Sequence, residues 1–455
     1  MMYERLVVAR DLLKDDGVIF ISIDDGEVYN LKKICDEIFG EDNFIWTIAR
    51  LSKTTSDAGK HYAPSKDYVI TFCKNITNLA PFREPLSLED IKQYNKNDKN
   101  WKYKTVGFYQ ASLTLERSRN ARYFIDCPTG EKCIPPENKR WRCIEDTYLI
   151  MLEKGEIEFI KTPNSPLIDE KGNKSEWNIY TKQYLDRRMD EGKTPRDYLD
   201  TITNVIGTKE IKSLEIPFDF PKPTKLIEHL SKIIESKNDD IILDFFSGSA
   251  TTAHAVMQLN GEDGGNRKFI MVQIPEETDK NSEAYKVGYK NICEIGKERI
   301  RRAGKKIREE NKDKESIDNL DTGFRVYRLD SSNMKDVYYH PTEVTQAGLF
   351  DLTSNIKDDR APEDILAQAM LDLGLTLDLP IETRTIAGST VFLVAGNSLV
   401  ACFDEKVDFA IVDEIAQLAP LKVVFRDSSF QSDADRINFE TRFKKLSPES
   451  DLRVI

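Results

Sequence analysis

The sequence predicts an α/β protein: a sheet of short buried strands flanked by helices, interrupted by a long polar insertion and followed by a second, acidic α/β unit. Three observations predict this. Apolar runs of strand length alternate with helical periodicity over residues 1–75 and again over 217–330. The alternation dissolves across 76–216, which is polar and rich in lysine, arginine and asparagine. From 331 to 455 a separate acidic unit follows.

The elements follow in order. Residues 5–14 carry an apolar stripe (Leu6, Val7, Ala9, Leu12, Leu13) that predicts the end of an amphipathic helix. Asp15-Asp16-Gly17 turns the chain into VIFISID, 18–24, a run apolar enough to be buried on both faces as in a parallel sheet. A helix over 27–39 is stopped by Gly40. Strand-like runs at 44–51 and 67–74 flank a polar loop at 52–66. After the insertion, periodicity returns at Pro221-Lys222-Pro223. Leu226, Ile227, Leu230, Ile233 and Ile234 mark a helix leading into a strand at 241–246. A strand at 268–274 (KFIMVQI), a long basic helix at about 283–310 and a further strand at 324–329 (FRVYRL) complete the series.

Length and composition narrow the function classes. At 455 residues the chain suits two to four domains. No apolar run approaches the roughly 20 residues of a membrane span, so no membrane role is expected. Seven scattered cysteines fit a reducing, cytoplasmic setting. Cys127, Cys133 and Cys143 lack the short paired spacing of a zinc site, and no metal is expected. The net charge of −12 is unevenly placed: residues 336–420 hold 15 acidic and 4 basic side chains. Residues 96–145 instead hold 11 basic and 6 acidic groups, interleaved with Trp101, Tyr103, Phe108, Tyr109, Tyr123, Phe124 and Trp141. Basic and aromatic residues together suit phosphate contact and base stacking. The competing reading is a solvated face over a small core.

The most informative stretch is IILDFFSGSATTAHAVMQLN, 241–260: an apolar strand, a small-residue turn and a helix start. Such a junction presents main-chain N–H groups to a nucleotide-like ligand. No GxxxxGK[ST] sequence occurs, which removes the ATPase and helicase classes. A second glycine pair of the dinucleotide type is also absent. What remains is compatible with S-adenosylmethionine, which has no phosphates and needs one close main-chain approach.

Here a resemblance becomes specific. DFFSGSATTAHAVMQLN with EDGGNRKFIMVQIPEE, the FPKP at 220–223, and MMYERLVVARDLLKDDGVIFISIDDGEVYNLKKICDEIFGEDNF at 1–44 resemble the modification (Mod) subunits of type III restriction–modification systems. GFRVYRLDSSNMKDV, APEDILAQAMLDLGL and FRDSSFQSDADRINFETRFKKLSP resemble their C-terminal portion. The likeness covers nearly the whole chain, least clearly at 76–216. It implies a DNA adenine-N6 methyltransferase with a Rossmann-like, circularly permuted S-adenosylmethionine-dependent sheet. The domains implied are a catalytic-half remnant (1–75), a target-recognition insertion (76–216), a cofactor-binding half (217–330) and an acidic C-terminal assembly domain (331–455).

Carried over by position, the resemblance assigns Asp244, Phe245, Phe246, Gly248 and Ser249 to the methionine end of the cofactor. Gly248 admits a close backbone approach because it has no Cβ. Thr251 and Thr252 cap free N–H groups or face the cofactor carboxylate. Lys222 and Pro223 flank the methionine moiety, and the ribose role is divided between Gln273 and Glu276. In the insertion, Lys102, Lys104, Arg117, Arg119, Arg122, Lys139, Arg140 and Arg142 are expected to contact phosphate or guanine. The partners implied are double-stranded DNA, a second Mod subunit and the restriction (Res) subunit.

One piece is missing. An exocyclic amine is a poor nucleophile, and amino-methyltransferases hold it with an (Asp/Asn/Ser)-Pro-Pro-(Tyr/Phe/Trp) motif at the end of the fourth strand. The sequence has only Pro135-Pro136, followed by glutamate. In the resembled family the motif lies shortly upstream of the segment matching Met1-Met2-Tyr3. The resemblance therefore implies an incomplete chain, inactive alone, with no catalytic residue of its own, completed by an upstream polypeptide. Leaving two central sheet edges unpaired is expected to cost on the order of 10 kcal/mol. A cytosine-C5 enzyme is excluded by the lack of any Pro-Cys dipeptide. The alternative is a non-catalytic DNA-recognition or assembly subunit for a restriction complex.

Overall fold

The computed structural model describes residues 2–54, 61–111, 120–236, 239–335 and 356–455. The chain divides into two units, Met1–Phe324 and Arg325–Ile455.

In the first unit, α1 (Met2–Leu12) leads into β1 (Val18–Ile23), then α2 (Val28–Phe39), β2 (Phe44–Leu51) and β3 (Lys66–Cys73). Strands β1, β3 and β2 pair antiparallel in that order, and the short β4 (Tyr198–Leu199) adds parallel to β2. Helix α2 forms because Val28, Leu31, Cys35, Ile38 and Phe39 recur at helical spacing; they bury against Leu6, Ile70 and Phe72. Gly40 ends it with φ +87°. Strand β1 departs from the expectation of a doubly buried parallel strand. It lies at the sheet margin with one antiparallel neighbour, and only Ile19 along it is buried. No strand pairs with its outer edge among the described residues, and most of its apolar side chains are only partly buried.

Within the stretch 76–216 expected as an insertion, the part before Tyr198 is mainly antiparallel β structure around one small core, whereas Tyr198–Leu199 pairs with β2 and Asn204–Ser213 packs with the later helices. Ile157–Lys161, Trp177–Tyr184, Lys102–Gly107 and Lys96–Asn97 form one sheet, with two smaller sheets beside it. Phe108, Trp141, Leu167 and Ile179 are fully buried there, and Tyr148 nearly so.

The chain then returns to α/β order: α3 (Asn204–Ser213), α4 (Thr224–Ile233), β5 (Ile241–Asp244), α5 (Thr251–Asp263), β6 (Lys268–Met271) and α6 (Ile292–Glu310). Strands β5 and β6 pair parallel, Ile241 opposite Lys268 and Asp244 opposite Met271. They form a sheet of their own rather than joining β1–β4. Phe269 and Met271 point toward Ala253, Met257, Ile295, Ile300 and Ala303 of α5 and α6. The basic helix expected at 283–310 is broken: Glu283–Lys286 is a short turn of helix, and Gly288 at φ +103° separates it from α6.

The second unit is a mixed five-stranded sheet in the order Ile381–Ile386, Ser389–Val394, Leu399–Cys402, Lys422–Phe425, Asp451–Val454. Alternation along the strands splits its core. Val391, Leu393, Val400, Val423 and Phe425 face the helices Ile411–Gln417 and Asp433–Leu446. Phe392, Val394, Leu399, Ala401 and Val424 pack with Ile365, Leu366 and Met370 of Pro362–Asp372. The strand expected at 324–329 does not form. Its alternating residues find no sheet edge, Leu329 is fully exposed, and Arg325 and Tyr327 bond instead to the Leu377 carbonyl.

Candidate functional site

The site is assembled where the two halves of the first unit meet. Phe245, just beyond β5, packs into the cluster formed by α1, β1 and α2. Lys14 beyond α1 pairs with Asp240 before β5 at 2.6 Å, and the Arg5 guanidinium lies 5.5 Å from the centre of the Phe246 ring. Segments some 230 residues apart in sequence thus meet at both ends of β5.

The turn after β5 is tightly tied. Asp244 accepts from the Phe246 N–H at 3.2 Å and from the Thr252 hydroxyl at 2.6 Å. The Ser247 N–H donates to the Val272 carbonyl and the Ala250 N–H to the Ser247 carbonyl. Gly248 and Ala250 adopt left-handed backbone, φ +50° and +59°. A Cβ on Gly248 would meet only the Phe246 carbonyl, at 4.0 Å, so the space before it is open to a ligand. The Phe246 ring beside it is 52 % exposed. An open glycine, an exposed ring and a carboxylate at the end of a parallel strand fit the adenosyl sulfonium donor that the sequence implied.

The remaining assigned residues are placed as follows. Gln273 is drawn to the turn, its Oε1 accepting from the Gly248 N–H at 2.8 Å. Glu276 stands exposed beyond it. Thr251 and Thr252 do not cap α5: Thr251 Oγ1 donates to the Lys222 carbonyl at 3.4 Å, and Thr252 serves Asp244. The Ser249 and Thr251 hydroxyls point inward to Arg299. Pro223 sits at the start of α4, where its lack of an N–H costs nothing. The Lys222 ammonium lies 3.6 Å from Asp67, and partial burial holds it below the ordinary lysine range despite that carboxylate.

Sequence reasoning missed three residues that organise this region. Arg50 is fully buried on β2 and clasps the Asp67 carboxylate with two donors, besides bonding the Ile202 carbonyl and Asn204 Oδ1. Glu210 on α3 accepts from the Thr224 N–H and hydroxyl at 2.9 and 3.0 Å. Arg299 on α6 is also fully buried. The one sequence sign of Arg299 was its place in an otherwise apolar i, i+4 stripe with Ile295, Ala303 and Ile307.

The insertion separates its expected DNA contacts into two kinds. Lys102 is exposed. Lys104 bonds Gln93, and Lys139 lies over the Tyr109 ring. Arg122 donates to the Pro135, Pro136 and Lys139 carbonyls, and Arg142 donates to the Gly107 carbonyl. Arg140 lies half-buried on the strand that pairs with Tyr109–Ala111. Arg117 and Arg119 lie outside the described residues. Three of the seven rings expected to stack on bases are core instead. Phe108 and Trp141 are 0 % exposed and Tyr103 is 7 %, because their apolar area fills a small domain with few aliphatic residues. Trp101 and Phe124 remain exposed, at 55 % and 47 %. Among the described residues no group of histidine, cysteine or carboxylate side chains is placed to hold a metal, and no helix is long and apolar enough to cross a membrane.

Comparison with known proteins shows the family. A DNA methylase family, N6_N4_Mtase, matches residues 1–283. The StyLTI Mod subunit of Salmonella typhimurium LT2 is 36 % identical over 72 % of this chain and 48 % of its own length. The EcoPI Mod subunit of Escherichia phage P1 is 31 % identical over 96 % of this chain and 69 % of its own length. The EcoP15I Mod subunit of Escherichia coli is 29 % identical over 95 % and 68 %. The chain thus spans about half the length of the first relative and about two thirds of the others. A solved M1.HpyAVI–S-adenosylmethionine complex aligns over 66 % of this chain and 81 % of that chain at 12 % identity, with a TM-score of only 0.27. On the strength of the family match and the likeness to the phage P1 subunit over 96 % of this chain, the chain belongs to the S-adenosylmethionine-dependent N6/N4 DNA methylases and, within them, to the Mod subunits of type III restriction–modification systems.

Proposed function

We propose that this chain supplies the cofactor site and the DNA-reading surface of an adenine-N6 methyltransferase acting on duplex DNA. The observation that carries the reading is the junction of β5 and α5. A carboxylate, an open left-handed glycine and an exposed ring are gathered at the end of a parallel strand, against the Pro221–Pro223 segment. Asp244 retains acceptor capacity for the ammonium of the methionine moiety. Phe246 offers a ring edge, and Gly248 offers the close main-chain approach. Gln273, now bonded to the Gly248 N–H, releases that amide and turns with Glu276 toward the ribose hydroxyls. S-adenosylmethionine supplies the methyl group; the residues here bind and orient it.

The chain does not itself contain the acceptor for the adenine amine. Among the open sheet margins of its first unit are the outer edges of β1 and β5, and neither has a strand partner there among the described residues. A further polypeptide segment that pairs with both and ends in the proline-proline-aromatic motif completes the sheet and the chemistry. The edges are less costly than a buried gap, since half-exposed residues let water satisfy the main chain. Exposed Lys102 and Trp101 of the insertion contact DNA, with the mainly acidic second unit kept for protein: a second Mod copy and a Res subunit. The runner-up, a DNA-recognition or assembly subunit without catalysis, is favoured by the same missing motif.

The test is transfer of labelled methyl from S-adenosylmethionine to duplex DNA, by the chain alone and by the chain co-expressed with a segment bearing the motif. Transfer only in the second case is expected. Methylation by the chain alone refutes the missing-piece reading. Calorimetry that detects no binding of S-adenosylhomocysteine to the completed assembly refutes the cofactor site.

A further inference from the structure

Behind the glycine turn stands a charged side chain that no cofactor contact explains. Arg299 projects from the middle of α6 and is 0 % exposed. A buried guanidinium is costly unless it is bonded and paired. Its Nη1 donates to Ser249 Oγ at 2.9 Å and to Thr251 Oγ1 at 2.7 Å. The nearest carboxylate, Glu210, lies 3.9 Å from Nη2, and neither Nη2 nor Nε has a hydrogen-bond partner. Burial lowers its pKa to about 10, which leaves it charged at neutral pH. The two strong bonds it does make both go to the turn.

That turn needs holding. Gly248 and Ala250 are both left-handed, and Ser249 lies between them. The conformation is strained for alanine, which has a Cβ. Thr251 passes the contact on to the Lys222 carbonyl, while Glu210 binds the first residue of α4, Thr224. One turn earlier on α6, a Cβ at Gly296 would lie 3.4 Å from the Gly248 carbonyl and 3.5 Å from the Ala250 Cβ. The helix therefore rests directly on the turn, and Arg299 links it to both segments that flank the expected methionine moiety.

We propose that Arg299 is a positioning residue for the methyl-donor site: it holds residues 248–251 and the Pro221–Pro223 segment in the ligand-ready arrangement without touching the ligand. The proposal rests on the reading of this turn as the S-adenosylmethionine site. Loss of the guanidinium frees the Ser249 and Thr251 hydroxyls and lets the left-handed pair relax. An ammonium in its place can still donate to both hydroxyls, so lysine substitutes in part.

The experiment is hydrogen–deuterium exchange on the full chain co-expressed with the motif-bearing segment, read on peptides covering 244–256, with and without S-adenosylhomocysteine. The variants are Arg299→Met, Arg299→Lys, Thr251→Val and the double variant Arg299→Met with Thr251→Val. The expected result is at least tenfold faster exchange at 247–252 in Arg299→Met, with at least half of the loss, on a logarithmic scale, recovered in Arg299→Lys. The second unit stays unchanged, and the double variant is no worse than Arg299→Met because both changes break one linkage. If Arg299→Met does not fold, Arg299→Lys and Thr251→Val carry the comparison at reduced size. Unchanged exchange at 247–252 in the folded variants, or additive effects in the double variant, overturns the proposal. If S-adenosylhomocysteine slows no amide of this turn in the unaltered chain, the donor-site reading fails, and the positioning role fails with it. Protection in the unaltered chain with variants that behave alike overturns the positioning role alone.

Discussion

Gly207→Ala sets two physical effects of known size against each other. Gly207 lies inside α3, where alanine is favoured over glycine by about 1 kcal/mol on helix propensity alone. The substitution should therefore stabilise an isolated helix. In this fold, however, Gly207 is buried against the backbone of the Pro221–Pro223 segment. A Cβ there would lie 2.5 Å from the Pro221 carbonyl oxygen, 2.8 Å from the Lys222 carbonyl carbon and 2.9 Å from the Lys222 carbonyl oxygen. These are backbone atoms at sub-contact distances, so no side-chain rotation relieves them. Either α3 or the Pro-Lys-Pro segment must shift. Overpacking of that kind costs about 1–3 kcal/mol and exceeds the propensity gain. The shift also displaces Lys222 and Pro223, which flank the proposed donor pocket. The expected outcome is a lower denaturation midpoint together with weaker binding of S-adenosylhomocysteine to the completed assembly. The neighbouring exposed change Lys209→Ala should move stability by less than about 0.5 kcal/mol. Urea denaturation followed by calorimetry decides the matter. If Gly207→Ala raises the midpoint and leaves affinity intact, the close approach of α3 to the segment is wrong.

Two further predictions concern the insertion and the histidine behind the turn. Trp141→Ala removes a fully buried ring that bonds the Tyr123 carbonyl at 2.8 Å, and should lower stability by about 3–5 kcal/mol. Trp101→Ala, at an exposed ring, should leave the melting curve unchanged while weakening binding of duplex DNA in a mobility-shift assay; the reverse pattern would refute the division into core and contact rings. His254 is buried on α5, and burial with Arg299 nearby lowers its pKa to about 3 from an ordinary 6.5. Between those values the unfolded chain binds the extra proton, so stability rises with pH across this window and is lost on acidification. At pH 5 the loss from this group should be about 2 kcal/mol relative to neutral pH. His254→Gln should flatten that part of the pH–stability curve, and an unchanged slope would show that His254 is not held neutral.

Much of the site was legible from local pattern. The turn at 244–252 is visible because a strand end, a glycine and a helix start leave a signature within ten residues. Helices α2 and α4 are visible because their apolar residues recur at helical spacing against one side of the core. The roles of Arg50 and Arg299 were not, since their partners lie 17 to 154 and 48 to 50 residues away. The aromatic residues of the insertion were legible as a cluster but not in their role, because burial depends on which face of a small sheet each ring occupies.

By itself the sequence determined most element types, the polar stretch between two α/β stretches, the acidic second unit and the glycine turn after β5, all of which depend on spacing, composition or local motif. Only the tertiary structure decided that β1 lies at a sheet margin, that β5 and β6 stand as a separate pair, and that FRVYRL forms no strand. Strand pairing and charge burial depend on which distant segments arrive alongside. An alternating run becomes a strand only when an edge is there to receive its hydrogen bonds.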